Sequence, residues 1–398
     1  MLERVAMQKK SLNFEDIQEA FASKSTSELK SAHWMFGMLN HPVLGPIGKT
    51  VLKWAVQAGL PIKPIIKATL YKHFVGGETL NSCLPIAEKL HKQGVYSILD
   101  YSEEGKANEA EFTKAYNELS ANIRFSKDHD SISMTVFKMT AFTDSEILYK
   151  ISEGINLNEI EAKSWAISTG RFKELIQMAS ESGKPVMVDA EESWIQHPID
   201  QITLDMMKHY NQDKVVVINT FQMYRSDRLT TLREWLDEAN KLGFMLGVKI
   251  VRGAYMEKER KRAQEKGYED PIQPSKSSTD NDYNEAILLC LRNINKTYIV
   301  VATHNEDSTK LAAEYLANNN LELNHERVWF SQLLGMCDHI SFTLSSRGYN
   351  VSKYVPYGPV KSVTPYLIRR ADENSSVQGQ AKKEMTLLSK EIKRRAKQ

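Results

Sequence analysis

Eight short runs rich in valine and isoleucine recur from residue 95 onward and constrain the fold more than any other feature. They are VYSILD (95–100), SISMTVFKM (131–139), KPVMVDA (184–190), KVVVIN (214–219), FMLGVKIV (244–251), TYIVVAT (297–303), RVWFSQ (327–332) and SKYVPY (352–357). Each is apolar almost without alternation, the pattern of a strand buried on both faces, as parallel sheets require. Between them the period lengthens to that of a helix. Leu229, Leu232, Leu236 and Ala239 make one apolar stripe, and Phe172, Leu175, Ile176 and Ala179 make another. Strands alternating with helices from residue 95 to 376 predict an α/β chain folded as a (β/α)8 TIM-type barrel, a fold of about 250 residues. A doubly wound open sheet has the same periodicity, but no strand here is followed by the GxGxxG turn of a dinucleotide fold.

The flanks read differently. Residues 1–90 are expected to form an N-terminal helical arm, with helical pieces around 14–39 and 48–72 broken by HPVLGPIGK (41–49). The barrel is expected over 91–376, with its last helix over the barrel mouth, and a basic helical tail over 377–398. In that tail Met385, Leu388 and Ile392 share one face among seven basic and two acidic side chains. It is a helix that either docks on the body or touches a membrane. GYEDPIQPSKSSTDN (267–281) is the most loop-like internal stretch.

Composition narrows the function classes. With 52 Lys+Arg against 50 Asp+Glu, the net charge of +2 gives no electrostatic case for nucleic acid. Cys83, Cys290 and Cys337 form neither a disulfide framework nor a zinc spacing, as expected of a reducing interior. No apolar run approaches the roughly 18 residues of a membrane span. The first twenty residues read as neither a secretory signal nor a transit peptide. The expected place is a reducing interior.

In a barrel, chemistry sits at the C-terminal ends of the strands. Asp100, Lys138, Asp189, Gln222, KIVRGAY (249–255), ATHN (302–305) and Gln332 stand there. A charge inside a buried strand is costly unless paired or bound to something, which singles out Lys138, Asp189 and Lys249. An internal ion-pair network is the alternative. In YLIRRADEN (366–374), Tyr366, Arg369, Arg370 and Glu373 fall at i, i+3, i+4 and i+7, one helical face. Two guanidiniums beside a ring suit a carboxylate clamp, with Lys138 as a third cation, so a small anionic substrate is inferred. A solvated face with a local Arg–Glu pair is the alternative. His304 has no second histidine at ligand spacing, so no metal is expected. No Ser-His-Asp or Cys-His arrangement occurs either, which favours chemistry borne by a cofactor. Two other readings stay open: a Schiff-base aldolase-type barrel using Lys138 or Lys249, and a non-catalytic barrel that binds an anionic metabolite.

The segment YLIRRADEN resembles the YLxRRxxEN signature of proline dehydrogenases, and KIVRGAYMEKE resembles the same family's (R/K)LV(R/K)GAYxxxE segment. VDAEES, ATHN and FSQLLGM follow the family's order, and the resemblance covers roughly residues 76–376. It implies an FAD-dependent (β/α)8 enzyme that oxidises L-proline to Δ1-pyrroline-5-carboxylate and passes electrons to a membrane quinone, with peripheral contact to the membrane. It also implies a monofunctional chain without an aldehyde dehydrogenase module. Residue by residue, Arg369, Arg370 and Lys138 would bind the proline carboxylate, and Tyr366 would wall the ring. Asp189 would orient Lys138 at the substrate–flavin face. Lys249 would lie beside the flavin, and Gln222 would bond its edge. Ala190, Arg252, Gly253, Ala254, Thr303 and His304 would hold the rest of FAD. Glu373 would anchor an arginine or the cofactor, and Glu104 would pair with Arg369 as a gate. The sequence departs from the family at Lys249, where many members carry Arg, and in the YSEEG spacer after Asp100. Tyr366 favours proline over hydroxyproline, since a ring hydroxyl would crowd against it.

Overall fold

All eight apolar runs form strands, and in the computed structural model they close in the order β1 to β8 as a parallel barrel. The strands are β1 (Val95–Tyr101), β2 (Ile132–Phe137), β3 (Val186–Val188), β4 (Val217–Gln222), β5 (Leu246–Val251), β6 (Thr297–Ala302), β7 (Val328–Leu333) and β8 (Val351–Tyr357). The structure describes residues 12–22, 24–40, 67–102, 108–376 and 380–398, without the side chains of 19, 38–40, 67–68 and 371–382. HPVLGPIGK, most of the helical piece at 48–72, Glu104 and the side chain of Glu373 therefore lie outside the described residues.

The helices are α1 (Ile17–Phe21), α2 (Thr26–Asn40), α3 (Leu80–His91), α4 (Glu109–Lys127), α5 (Ser145–Ser152), α6 (Glu159–Ser182) and α7 (Ser193–Tyr210). After β4 come α8 (Arg228–Leu242), α9 (Met256–Lys266), α10 (Lys276–Arg292), α11 (Glu306–Asn318), α12 (Asp338–Ser346), α13 (Val360–Ser376) and α14 (Gln380–Arg395). Both predicted stripes are buried, in α6 and in α8. Consecutive residues such as Val186, Met187 and Val188, or Ile299, Val300 and Val301, are buried together, which is the two-faced burial their composition demanded.

Three boundaries differ from the sequence reading, each for a local reason. β4 starts at Val217 because the Asn211 side-chain oxygen accepts the N–H groups of Val216 (2.8 Å) and Val217 (2.9 Å), replacing ladder bonds there. The strand then runs on through Gln222. The stretch 267–281 is not loop throughout, since α10 begins at Lys276. Ser275 Oγ accepts the Ser278 N–H at 3.0 Å, a polar first turn that composition alone mistakes for coil. α3 lies ahead of the first strand and was not foreseen. Its cap is Thr79 of GGET, which exchanges hydrogen bonds with Ser82.

Two compact units share the chain, residues 105–331 and the pair of segments 1–104 and 332–398. In the second, α1, α2, α13 and α14 meet over a core of Phe21, Leu29, Phe36, Phe74, Val363, Leu367 and Leu388. The tail α14 docks, with Met385 and Ile392 packed on that core beside Leu388, so its apolar face is used within the protein. Glu391 binds Arg394 at 2.7 Å and Arg395 at 2.6 Å, and Arg395 also donates to the carbonyls of Lys24 (2.6 Å) and Phe21 (2.8 Å).

Beneath this core lies a buried ionic node. Asp338, at the start of α12, takes Lys24 of the arm at 2.5 Å and Lys353 of β8 at 2.9 Å. Lys353 is fully buried and also donates to the carbonyls of Leu333 (3.2 Å) and Met336. Burial opposes charge on Asp338, but the two lysines outweigh it and hold its carboxyl below the usual range. A carboxylate so depressed stabilises the fold at every pH above the ordinary aspartate value of about 3.9, and loses that effect only in stronger acid. Asp338→Ala is expected to cost about 3–5 kcal/mol by stranding Lys353, read as a drop in the urea midpoint. Adding Lys353→Met should recover part of the loss; a double variant less stable than Asp338→Ala would contradict this account.

Candidate active site

Within residues 105–331 the ends of β2 to β6 bring most of the expected side chains to adjacent strand ends. Asp189, just past β3, continues the ladder through its N–H to the Phe137 carbonyl at 2.9 Å. Lys249 sits in β5 opposite Thr220 of β4 and is buried, with its ammonium in an ion pair with Asp189. Lys138 directly follows β2 in extended backbone and is partly buried. The internal ion-pair alternative is thus realised for Lys249 and Asp189.

Gln222 is a bracket between loops. Its amide N–H donates to the Glu191 carbonyl at 2.8 Å, and its oxygen accepts the Ala254 N–H at 3.2 Å. Arg252, just past β5, is held on three sides. It donates through Nε to Asp280 at 2.7 Å, through Nη1 to Thr303 Oγ1 at 2.8 Å and through Nη2 to Ser308 Oγ at 3.0 Å. Its guanidinium also lies over the Tyr283 ring, 4.3 Å from the centroid. Burial works against charge on Asp280, but hydrogen bonds from Lys276 and Arg252 keep its carboxyl below the usual range. In ATHN, Thr303 Oγ1 also accepts the Asn305 N–H at 3.0 Å, and Asn305 caps α11. His304 is partly buried between them. Gly253 adopts φ +142°, and a Cβ there would stand 2.4 Å from the Tyr224 ring.

Glu191, two residues after Asp189, was missed although it lies inside the motif VDAEES. Its carboxylate accepts the Thr140 N–H at 3.0 Å and the Thr140 hydroxyl, and its own N–H donates to Gln196 at 2.7 Å. Burial pushes its carboxyl up to about 7, against the hydrogen bonds from Thr140 and the charge of Lys138. Asp280 was missed too, because its segment read as loop. Its later place, five residues after the Ser275 cap, is a signal visible only once α10 is recognised.

The other unit carries the predicted clamp face. Tyr366, Arg369 and Arg370 lie on α13, where Tyr366 is buried beside Val363 and Leu367. The Arg370 guanidinium lies over the Tyr366 ring at 5.0 Å. Arg370 is buried and Arg369 partly so, which departs from a solvated face. The described residues include no cluster of His, Cys, Asp and Glu that could hold a metal ion.

Comparison with known proteins decides the family. The sequence profile described as "Proline dehydrogenase" matches residues 83–383. The chain belongs to the proline dehydrogenase family. Among curated proteins of this family's likeness, it is 36% identical to the carbapenem antibiotics biosynthesis protein CarD of Pectobacterium carotovorum subsp. carotovorum, covering 81% of this chain and 83% of that one. It is 31% identical to proline dehydrogenase 1, mitochondrial, of Dictyostelium discoideum, over 96% of this chain and 74% of that one. To the hydroxyproline dehydrogenase of Xenopus laevis it is 33% identical, over 88% and 80%. A solved structure, proline utilization A from Bdellovibrio bacteriovorus inactivated by N-propargylglycine, superposes with a TM-score of 0.71 at 21% identity. That likeness carries the fold, and it covers 95% of this chain and 41% of that one.

In this proline dehydrogenase family member, Gly253 sits at the turn that leads Arg252 into Ala254. Gly253→Ala is expected to cost about 1–3 kcal/mol in backbone strain, apart from the clash with Tyr224. Thermal melting should report it as a lowered Tm, and an unchanged Tm would show that the turn relaxes freely.

Proposed function

We propose that the protein oxidises L-proline to Δ1-pyrroline-5-carboxylate, with FAD as the hydride acceptor and a membrane quinone as the final electron acceptor. The observation that carries this reading is the strand-end constellation of the Lys249–Asp189 pair, the Gln222–Ala254 bracket and the caged Arg252 in a member of this family.

The donor set fits a flavin nucleotide. Arg252 spends three of its five N–H groups on Asp280, Thr303 and Ser308, and the other two suit a diphosphate. Gln222 uses one N–H and one lone pair internally, and its second N–H matches the amide-like edge of an isoalloxazine. Ala190, Gly253, Ala254, Thr303 and His304 would contribute contacts along the same strand ends, and Glu373 a further one from α13. FAD, when bound, supplies the acceptor for the hydride.

The chain's own residues would do the rest. Arg369, Arg370 and Lys138 would fix the carboxylate, and Tyr366, packed beside Val363 and Leu367, would wall the pyrrolidine ring. The ring nitrogen must lose its ammonium proton before its lone pair can drive hydride departure. Lys249, held by Asp189, would provide positive charge where negative charge grows. The aldolase reading loses ground at Lys249, whose ammonium is paired with Asp189. No described helix is long and apolar enough to cross a membrane. We place the protein in a bacterial-type cytoplasm, visiting the inner face of the membrane to meet quinone. Because α14 spends its apolar face on the protein's own core, that visit would use contacts other than insertion of this helix.

Relatives of both names, proline and hydroxyproline dehydrogenase, match at similar identity. The rigidly packed Tyr366 favours the unsubstituted ring.

The purified protein should be yellow, and anaerobic L-proline should bleach its visible flavin band. A colourless protein that takes up no FAD would end this reading. Arg369→Met should raise the KM for proline about tenfold or more, the loss of one charge-assisted hydrogen bond, while flavin content stays unchanged. Equal loss of flavin would assign this arginine to the cofactor instead. The ratio of kcat/KM values should favour proline over trans-4-hydroxyproline, and Tyr366→Ser should narrow it.

A further inference from the structure

We infer that Glu191 is a positioning residue for the substrate's carboxylate: it fixes the Lys138 turn and the Gln222 amide, and its charge tunes how strongly the Lys138 end of the site attracts an anion. The inference rests on the proposed proline reading and adds to it a group that the reaction itself does not use.

The geometry places Glu191 at a junction of three strand-end loops. Toward β2, its carboxylate takes both the N–H and the hydroxyl of Thr140, in the short 3-10 turn Met139–Ala141 that Lys138 opens. Toward β4 and β5, its carbonyl holds the Gln222 amide, whose oxygen in turn holds Ala254. Behind it, its N–H is fixed by Gln196, which donates to Asp200 at 2.9 Å, and Asp200 pairs with Arg228 at 2.8 Å. With its carboxylate held by Thr140 and its backbone held by Gln196 and Gln222, the residue has little freedom to swing into the site. Its influence is therefore through what it holds and through its charge.

Lys138 approaches from the end of β2, and Glu192 stands beside it in its own segment, paired with Lys258 of α9. Asp189, from the end of β3, is committed to Lys249. Lys138 is a cation whose charge acts on Glu191, and Glu191 in turn modifies its field. Burial brings the Glu191 carboxyl to about 7, so it changes charge in the neutral range. Above that range the ionised carboxylate offsets Lys138 and repels an incoming carboxylate. Below it Glu191 is neutral and no longer offsets Lys138.

The test uses the FAD-loaded protein and tetrahydro-2-furoate, the ring-oxygen analogue of proline, which keeps the carboxylate but has no ammonium to titrate. Its Kd is read from the perturbation of the flavin spectrum between about pH 5.5 and 8.5, a span that brackets the raised carboxyl. In the wild type the Kd is expected to rise roughly fivefold as pH increases through neutrality, a coupling at the modest end of linked binding. Glu191→Gln should abolish that step and hold the Kd near its low-pH value. Thr140→Val, which removes a donor to the ionised carboxylate, should move the step to higher pH and so tests the idea even if Glu191→Gln does not fold. A flat wild-type profile, an unaltered step in Glu191→Gln, or an unmoved step in Thr140→Val would each overturn the inference. Failure of the analogue to bind at any pH would instead overturn the proline reading on which it rests.

Discussion

A parallel strand buried on both faces has no surface on which to leave a charge, and every informative position in this protein follows from that constraint. Lys249 stands in the middle of β5 with apolar neighbours on either side, and it is tolerated there because Asp189 meets it from the end of β3. Lys353 in β8 is tolerated because Asp338 and two carbonyls receive it. Such pairs contribute little net stability over an apolar substitute, since desolvation offsets most of the attraction. Their presence in strands otherwise so apolar marks positions where the charge itself is wanted, or where it specifies how segments join.

The two nodes have different characters. The Asp338 node ties the arm to α12 and β8, which lie far from it in the chain, and its groups pair with one another. At the ends of β3 to β6, by contrast, the polar groups are oriented by partners, and in the proposed reading they would also meet a ligand. Arg252 is aimed by Asp280, Thr303 and Ser308 with two N–H groups remaining, and Gln222 is aimed by Glu191 and Ala254. Orientation settled before a ligand arrives is what makes such dipoles effective, because none of it has to be arranged during the reaction.

Much of this was legible in the residues. The eight strands declared themselves because two-faced burial leaves an unbroken apolar run, and the stripes of α6 and α8 because a barrel helix buries one side only. Lys138, Asp189 and Lys249 stood out as charges in the wrong company. The face of α13 that carries Arg369 and Arg370 stood out as polarity where apolar packing was expected, and the Arg370 guanidinium lies over the Tyr366 ring. What was not legible depended on partners distant in the chain. Glu191 looked like any surface glutamate until its burial against Thr140 was known, and Asp280 looked like loop until Ser275 was seen to cap α10. The basic tail was ambiguous for the same reason, since an amphipathic helix does not say which apolar surface it will meet.

By itself, then, the sequence determined the local periods, the positions of anomalous charge and the signature of a family, because each of these is a property of neighbours along the chain. Only the tertiary structure decided which charge answers which: Asp189 to Lys249, Asp338 to Lys24 and Lys353, Asp280 to Arg252. It also decided that β4 runs on to Gln222, and that the face of α14 closes on the protein's own core. The physical reason is that burial and ion pairing are set by what surrounds a side chain in space, and in a closed barrel those surroundings come from strands that lie far apart in sequence.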